Sequence, residues 1–534
     1  MIQIGDRRLE LKDFEKLLFE KSSVSLNKVT LDKVAICHEF LKDFASDKVI
    51  YGINTGFGPM AQYKIDDDKR IQLQYNLIRS HCTGMGEIFG PTYIKSAMIC
   101  QLNTLMLAHS GIDISVVELI CLLINKEIYP IIFEHGGVGA SGDLVQLAHL
   151  ALGYIGEGEV LHDGQKIDCA QLYKKLDIEP LKIKLREGLS LMNGTSVMTG
   201  IGFVNASLAK NLLNWSLVSS AMLNEIVCAY DDHYSRPLNY AKQHQGQRAI
   251  ADILRHILQD SQLTENRQEH LYNAEVKETF IQKNVQEYYS LRCLPQILGP
   301  IHDTLQQSIQ TLENEVNSVN DNPIIDVESQ NVYHGGNFHG DYVSLAMDQL
   351  RLAVTKLSML SERQLNFLMN HKINDILPPF ANLGELGFNF GVQGAQFTAT
   401  STTAENQMLS TSMYIHSIPN NNDNQDIVSM GTNASSATKR VIENAYQVLA
   451  IEIVAIVQAV EYLKIEDKLS TYTQALYKEL KHISPPFVED QPLYKRNQDV
   501  KKYLQNKRLN LLEQLDQQSS YKNHSNGVKK ETSQ

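Results

Sequence analysis

Apolar residues recur every three or four positions over long stretches of this chain. The spacing is clearest between residues 341 and 376, which contain no glycine or proline. A second stretch stops before Asn322-Pro323, where the residue preceding proline disfavours helix, and a third covers residues 439–463. This periodicity predicts amphipathic helices, and helices that each bury a wide apolar stripe pack as a bundle. The first two stripes comprise Val343, Ala346, Met347, Leu350, Ala353, Val354, Leu357 and Leu360, and then Leu305, Ile309, Leu312, Val316 and Val319.

Patterns typical of β-strands are few and short. Residues 160–167 predict a hairpin with an Asp-Gly turn, and residues 324–327 with 332–333 predict another. The predicted fold class is therefore mainly α. It consists of a loop-rich N-terminal domain over residues 1–200, a central helical bundle over 201–470 and a C-terminal helical section over 471–516. The polar residues 517–534 lack apolar periodicity and are predicted to be disordered.

Composition limits the classes of partner. The 534 residues include 49 Lys and Arg against 61 Asp and Glu, a net charge of −12, whereas surfaces that bind nucleic acid or anionic membranes are basic. No basic and apolar leader opens the chain, and the most apolar run, residues 448–460, is short and contains Glu452 and Gln458. Seven scattered cysteines without a C-x-x-C pair favour reduced thiols over disulfides or zinc. We expect a cytoplasmic protein that binds neither nucleic acid, nor a membrane, nor a metal.

The glycine-rich run at residues 136–143 allows several interpretations. Gly137, Gly139 and Gly142 have the G-x-G-x-x-G spacing of a loop that cradles a dinucleotide pyrophosphate, with Asp163 near the position of a ribose partner. A dinucleotide-dependent oxidoreductase also needs repeated βαβ units, and the chain shows no such pattern. Ser141 does not stand in the G-x-S-x-G sequence of a nucleophile elbow.

The same run can also be a structural turn or the precursor of an electrophile. As a turn it would lead into a helix from Leu144, with Asp143 near the positive end of that helix, in a non-catalytic helical scaffold. As a precursor, the Gly142 nitrogen would attack the Ala140 carbonyl, an approach that only a residue without Cβ makes easily. Ser141 would lose its hydroxyl as water. The product would be a 4-methylideneimidazole-5-one made entirely from the chain.

Six motifs in order give the sequence a family resemblance. It resembles the aromatic amino acid ammonia-lyases, the family of histidine, phenylalanine and tyrosine lyases, from about residue 51 to about residue 465. The motifs are YGINTGFG from Tyr51, ASGD from Ala140, LMNGT from Leu191, YSLRC from Tyr289, GGNFH from Gly335 and NQD from Asn424. The resemblance implies a mostly helical homotetramer whose active sites combine residues of more than one subunit. It also implies the cyclised Ala140-Ser141-Gly142 as electrophile, with no metal and no dissolved cofactor.

The resemblance assigns roles to further residues. Tyr51 matches the general base, on a loop whose glycines, among them Gly58 at the substrate, would let it close. Arg292 matches the clamp for the substrate carboxylate, where a planar guanidinium offers two parallel hydrogen bonds. Asn193 and Tyr289 match residues that support the reacting centre. Gln286 and Phe338 match positions that line the pocket.

The residues that set the side-chain pocket point to different substrates. Ser80-His81 resembles the pair in histidine lyases, whereas Gln425 stands where those lyases place a glutamate and where phenylalanine and tyrosine lyases have glutamine. A neutral imidazole pairs with a phenol hydroxyl in either direction, while phenylalanine would leave His81 buried and unpaired. We therefore predict conversion of L-tyrosine to trans-p-coumarate and ammonia. Histidine ammonia-lyase is the alternative, and an aminomutase that uses the same electrophile stays open.

Overall fold

The computed structural model describes residues 1–273, 279, 281 and 285–512. Within these residues the secondary structure is predominantly helical, which confirms the predicted fold class. The strands are two to four residues long and form small separate sheets. The predicted disordered tail at 517–534 and the last four residues of the predicted C-terminal section lie outside the described residues.

Contacts group the chain into two compact units. The first unit comprises residues 1–207, 307–349 and 411–439, and the second comprises 208–306, 350–410 and 440–534. Four of the five boundaries fall inside the four longest described helices, Ser196–Ile226, Leu294–Val316, Asp341–Met369 and Gly431–Leu463, and the fifth lies between residues 410 and 411. Each unit is therefore discontinuous in sequence. The consecutive domain boundaries at residues 200 and 470 stay a prediction.

The first unit contains all the described strands and eight complete helices. The helices are Leu11–Phe19, Lys28–Phe44, Arg70–His81, Pro91–Met106, Ile114–Asn125, Leu144–Tyr154, Cys169–Leu176 and Glu187–Met192. Ile2–Ile4 pairs in parallel with Val24–Leu26, and the other described strands pair antiparallel. Two of the antiparallel sheets are two-stranded, Met85–Ile88 with Phe133–His135 and Ile324–Asp326 with Asn331–Tyr333. In the third sheet, Glu159–His162 lies between Tyr129–Pro130 and Gln165–Asp168.

All helices and strands assigned to the described residues of the second unit are helices. Its complete helices are Arg236–Tyr240, Gln245–Ile257, Tyr289–Arg292, His371–Asn374, Gln393–Met408, Thr471–Ile483 and Tyr494–Asn506. Short turns of tighter or wider helix occupy Asp231–Tyr234, Gln268–Tyr272, Pro379–Ala381 and Glu466–Lys468, while Gly58–Met60 and Asp67–Lys69 are the corresponding turns of the first unit.

The predicted elements are present with shifted ends. The helix predicted over residues 341–376 ends at Met369, because the Asn370 side chain accepts the backbone N–H of Lys372 and caps a new short helix. The helix that carries Leu305 already begins at Leu294 and ends at Val316. Both predicted hairpins form. At the tip of the first one, Asp163 and Gly164 have φ of +50° and +72°, as a tight Asp-Gly turn requires.

The longest helix is also the most apolar one. Gly431–Leu463 has the length and composition of a membrane span, yet 78% of its most apolar window is buried inside the fold. Glu452 and Gln458, the polar residues noted in its sequence, are themselves buried there. This is the pattern of a core helix of a folded protein. The cytoplasmic location stays a prediction.

Candidate active site

One cavity of about 570 Å³ in the first unit collects most of the residues singled out in the sequence. Its wall combines the loop after Tyr51, one face of helix Arg70–His81, the turn at Ala140 and the loop that contains Gln425. Nine predicted site residues line it: Tyr51, Gly58, Ser80, His81, Ala140, Ser141, Asn193, Phe338 and Gln425. The structure therefore brings together segments that are up to 374 residues apart in the chain.

The turn at Ala140-Ser141-Gly142 has, at Gly142, the residue type that the predicted cyclisation needs. Gly142 has φ of +69°, and a Cβ there would lie 1.8 Å from the Gly194 carbonyl oxygen, so only glycine fits. A hydrogen bond holds the turn close to Gly194, since the Asp143 backbone N–H donates to that oxygen over 2.8 Å. Ala140 is buried against Val428 and Met430. The residues present thus fit an internally formed 4-methylideneimidazole-5-one.

Asp143 faces a different helix from the one expected. It precedes helix Leu144–Tyr154 but makes no side-chain cap to it. Its carboxylate instead accepts the backbone N–H groups of Val197 and Met198, 2.8 Å away, at the start of helix Ser196–Ile226, and also the hydroxyl of Thr432. Complete burial raises the pKa of Asp143 to about 6, and these hydrogen bonds oppose the rise.

The Asn193 side chain is hydrogen-bonded to a buried ion pair. Its amide nitrogen donates to Asp321 Oδ1 over 3.3 Å and to the Asn322 carbonyl over 3.2 Å. The Asp321 carboxylate in turn pairs with the fully buried guanidinium of Arg186. Because the amide nitrogen is engaged, the Asn193 side-chain oxygen is the atom left to meet a ligand in the cavity.

The hydroxyl of Tyr51 is oriented by its own loop. It accepts the backbone N–H of Gly58 over 3.2 Å, and the ring packs edge-on against Phe57 at 6.0 Å between centroids. This hydrogen bond fixes the position of the phenol oxygen, which is the atom that would act as a general base. Tyr51 and Gly58 both line the cavity. The arrangement suits proton removal from a ligand that lies beside Ser141.

The hydrogen bonds of His81 define its tautomer. Nδ1 lies 2.8 Å from the Leu77 carbonyl oxygen, which can only accept, so Nδ1 carries a proton. Ser80 Oγ donates to the same carbonyl over 3.1 Å and lies 3.0 Å from Nδ1. In the neutral ring Nε2 is therefore an acceptor. It is available to take a hydrogen bond from a donor in the cavity.

Gln425 lies at the end of a turn made from asparagine and aspartate. Asn421, Asn422 and Asp423 have φ of 54°, 53° and 59°, a left-handed conformation that these residue types tolerate well. Asn420 and Gln425 then pair as an antiparallel bridge. This geometry directs the Gln425 amide to Ser141, and its Nε2 donates to Ser141 Oγ over 2.9 Å.

Four predicted site residues do not line this cavity: Gly142, which directly follows Ser141 in the turn, and three residues of the second unit. Gln286, Tyr289 and Arg292 belong to the second unit, and the Tyr289 side chain is 69% exposed. The Arg292 guanidinium lies 4.7 Å from the centre of the Tyr289 ring, and its buried Nε has no hydrogen-bond partner among the described residues. Arg292 thus keeps donor capacity for a ligand. The roles of these three residues stay predictions.

The cavity also has lining residues that the motifs did not indicate. Leu73, Asn76 and Leu77 precede Ser80-His81 on one face of helix Arg70–His81. The helical spacing of three and four residues back from Ser80 and His81 could have identified them. Others come from distant parts of the chain and carry no such signal: Pro59, Met60, Leu144, Leu189, Asn322, Asn421 and Ile427.

The charge of the lining limits what this chain can bind alone. Asp426 is the one carboxylate among the described lining residues, and none of them is lysine or arginine. The carboxylate of an amino acid would therefore find no fixed cation in this cavity. An aromatic side chain, in contrast, would find apolar walls from Phe57, Leu77 and Phe338.

Comparisons with known proteins agree on one family. The aromatic amino acid lyase family matches residues 9–482. A tyrosine 2,3-aminomutase from Chondromyces crocatus is 36% identical, covering 94% of this chain and 96% of that protein. A histidine ammonia-lyase from Staphylococcus saprophyticus is 37% identical, covering 94% and 99%. The crystal structure of tyrosine aminomutase from Streptomyces globisporus superimposes with a TM-score of 0.91 at 33% identity, covering 94% and 96%.

These matches extend over nearly the whole chain, and they agree with a cavity built around the Ala-Ser-Gly turn. A relative described as an MIO-dependent tyrosine 2,3-aminomutase supports the protein-derived electrophile as a property of the family. The chain belongs to the aromatic amino acid lyase family, which includes ammonia-lyases and aminomutases, and it has the fold of that family.

Proposed function

We propose that this protein is a tyrosine ammonia-lyase that converts L-tyrosine to trans-p-coumarate and ammonia. The observation that carries the proposal is the acceptor Nε2 of His81 in the same cavity as Ser141. A phenol hydroxyl donates to that nitrogen. Phenylalanine would leave it unpaired, at a cost of about 1–3 kcal/mol.

The neutral Gln425 argues against histidine as the preferred substrate. A carboxylate at this position would pair with an imidazolium side chain, whereas the Gln425 amide already donates to Ser141. The one acidic residue among the described lining residues, Asp426, is its neighbour in the loop. Histidine ammonia-lyase remains the second candidate because relatives of that name are as similar to this chain as the tyrosine enzymes.

The proposed chemistry assigns one task to each side chain. When formed, the 4-methylideneimidazole-5-one supplies the electrophilic carbon that makes the substrate amine a better leaving group. The Tyr51 oxygen takes the β-proton, whose electron pair becomes the new double bond while the carbon–nitrogen bond breaks. Asn193 and Gln425 hold the reacting centre between them, and Phe338 covers the aromatic ring.

The substrate carboxylate needs a cation that the described lining does not supply. Arg292 offers a guanidinium with unused donor capacity. We therefore propose a homotetramer in which Arg292, Tyr289 and Gln286 of one subunit complete the cavity of another. A cation on a neighbouring subunit would make the active site depend on assembly.

Product analysis tests the proposal directly. Purified protein is incubated separately with L-tyrosine, L-histidine and L-phenylalanine, and p-coumarate, urocanate and cinnamate are followed by their ultraviolet absorbance. We expect p-coumarate to form fastest. Faster formation of urocanate would replace the tyrosine assignment by the histidine one, and an intact mass without the loss of two waters would remove the ammonia-lyase chemistry altogether.

Relatives named tyrosine 2,3-aminomutase make a second reaction testable with the same substrate. An aminomutase would return the amino group to the neighbouring carbon and release β-tyrosine. Chromatography of the L-tyrosine reaction separates the two products. β-Tyrosine as the main early product would identify an aminomutase, and p-coumarate with free ammonia identifies the lyase.

A further inference from the structure

Residues 425–432 are hydrogen-bonded to the turn that contains Ala140-Ser141-Gly142. Their side-chain and backbone groups donate to four of the six positions from 138 to 143. Gln425 Nε2 donates to Ser141 Oγ over 2.9 Å, Ser429 Oγ to the Gly139 carbonyl over 3.0 Å, the Met430 N–H to the Val138 carbonyl over 2.9 Å, and the Thr432 hydroxyl to Asp143. We call residues 425–432 the clamp segment.

The bond from Thr432 differs from the others because its acceptor is charged. Thr432 and Asp143 are both fully buried, and hydrogen bonds to a buried carboxylate are stronger than those between neutral groups. Thr432 donates to Oδ1 of this carboxylate, and the backbone N–H groups of Val197 and Met198 donate to Oδ2. Asp143 directly follows Gly142, so its position fixes the amide that has to attack.

We infer that Thr432 is a positioning residue for formation of the electrophile, acting through Asp143. This inference rests on the proposed function. In the step it assists, the Gly142 nitrogen bonds to the Ala140 carbonyl carbon, and the carbonyl oxygen leaves as water with the amide hydrogens of Ser141 and Gly142. A second water forms from the Ser141 hydroxyl and the Ser141 α-hydrogen, which leaves the methylidene group. The two losses balance without an oxidant or a co-reactant.

Among the described residues, two other titratable groups interact with Asp143. Glu315, which accepts a 2.5 Å hydrogen bond from Thr195, raises the pKa of Asp143 further, and the buried thiol of Cys100 lies close enough to feel the Asp143 charge. The Thr432 hydrogen bond lowers the pKa of Asp143. Without this bond, a higher pH is needed to keep the carboxylate ionised.

The test follows cyclisation of the full chain by intact mass. Wild type, Thr432→Val and Thr432→Ser are made by cell-free synthesis, and the fraction lighter by two waters is measured over time at several pH values. We expect Thr432→Val to cyclise about tenfold more slowly, the cost of one hydrogen bond to a charged group, with its pH profile displaced to higher pH. Thr432→Ser keeps the hydroxyl and should restore the rate.

A matched control comes from the same helix. The buried Thr438 hydroxyl donates to the neutral carbonyls of Met347 and Ala434, so Thr438→Val removes a similar buried hydrogen bond without touching Asp143. If Thr438→Val slows cyclisation as much as Thr432→Val, or if Thr432→Val keeps the wild-type rate and pH profile, the inference is overturned. Thr432→Ala, which also lacks the hydroxyl, must be slow as well, and wild-type speed in it would overturn the inference. A wild type that never loses two waters contradicts the proposed function instead.

Discussion

At the residue scale, two contacts involve the turn at Ala140-Ser141-Gly142 directly. The need for a residue without Cβ at Gly142 follows from the cyclisation itself, and the structure adds the Gly194 carbonyl that enforces it. The hydrogen bond from Gln425 to Ser141 joins residues 284 positions apart. No local pattern carries such a pairing, because it depends on how distant loops pack.

The acceptor nitrogen of His81 leads to a prediction about substrate preference. His81→Phe removes the partner of the phenol hydroxyl and leaves an apolar wall. We expect kcat/KM for L-tyrosine to fall about tenfold to a hundredfold, in line with one unpaired buried hydroxyl, and the preference to move toward L-phenylalanine. Initial rates with both substrates measure this change.

The exposed His482 provides the control for that experiment, since helix Thr471–Ile483 contributes no residue to the cavity lining. His482→Phe should leave both rates at wild-type values. An unchanged ratio of tyrosine to phenylalanine turnover in His81→Phe would remove His81 from the side-chain pocket.

Gln425 gives a second prediction at this scale. Gln425→Glu places a carboxylate where the amide now donates to Ser141. It should lower turnover of L-tyrosine and raise the ratio of histidine to tyrosine turnover about tenfold, the value of one hydrogen bond between charged groups. Parallel urocanate and p-coumarate assays give the ratio. A ratio that stays constant while both rates fall would assign Gln425 to support of the electrophile alone.

At the scale of elements, periodicity located the long helices but not all of their ends. Helix Leu294–Val316 extends through Pro300, so the apolar stripe from Leu305 marked only its second part. The Asp-Gly hairpin was predictable because its turn needs particular residue types. The pairing of Met85–Ile88 with Phe133–His135 was not, since these short strands have no alternating pattern.

The core helix Gly431–Leu463 supplies a prediction about pH. Burial raises the pKa of Glu452 to about 8, although Ser219 and Ser361 donate hydrogen bonds to its carboxyl group. The folded protein therefore keeps a proton that the unfolded chain releases near pH ~4.3. This group's contribution to stability is complete below pH ~4.3 and is lost as the pH rises to about 8.

Glu452→Gln mimics the protonated side chain and should remove this pH dependence. At pH 8.5 (about half a unit above the folded pKa), we expect its free energy of unfolding to exceed that of wild type by about 2–4 kcal/mol, with a smaller difference at pH ~5. Urea titrations at both pH values measure it. Glu461 lies on the same helix as Glu452 and forms a partly exposed ion pair with Lys481 of helix Thr471–Ile483, so Glu461→Gln should keep the wild-type dependence. Equal pH dependence in wild type and Glu452→Gln would contradict the prediction.

At the scale of the whole molecule, the described cavity lining has no cation for an amino acid carboxylate. The sequence motifs named Arg292 for this task, and the structure places it in the second unit outside that lining. On the proposed assembly, subunit contacts decide which copy of the chain supplies it, and neither periodicity nor motif spacing contains that information.

Complementation between inactive variants tests whether Ser141 and Arg292 of one active site come from different subunits. Ser141→Ala cannot form the electrophile and Arg292→Ala cannot clamp the carboxylate, so each protein alone should be inactive. Mixed oligomers made by co-expression should recover about a quarter of wild-type activity when Ser141 and Arg292 of one site come from different subunits. Co-expression without recovery would place both residues of each site on the same chain.

The separation between the turn at residues 138–143 and the clamp segment has a consequence for biosynthesis. Ribosomes make the turn almost three hundred residues before they make Thr432. Until then the Ala-Ser-Gly tripeptide lacks the hydrogen bonds from the clamp segment, and in its uncyclised form it is inert toward the thiols and amines of the cell. On the proposed chemistry, the reactive group forms faster once synthesis has passed the clamp segment. Chains truncated before Thr432 should therefore keep mostly the uncyclised tripeptide.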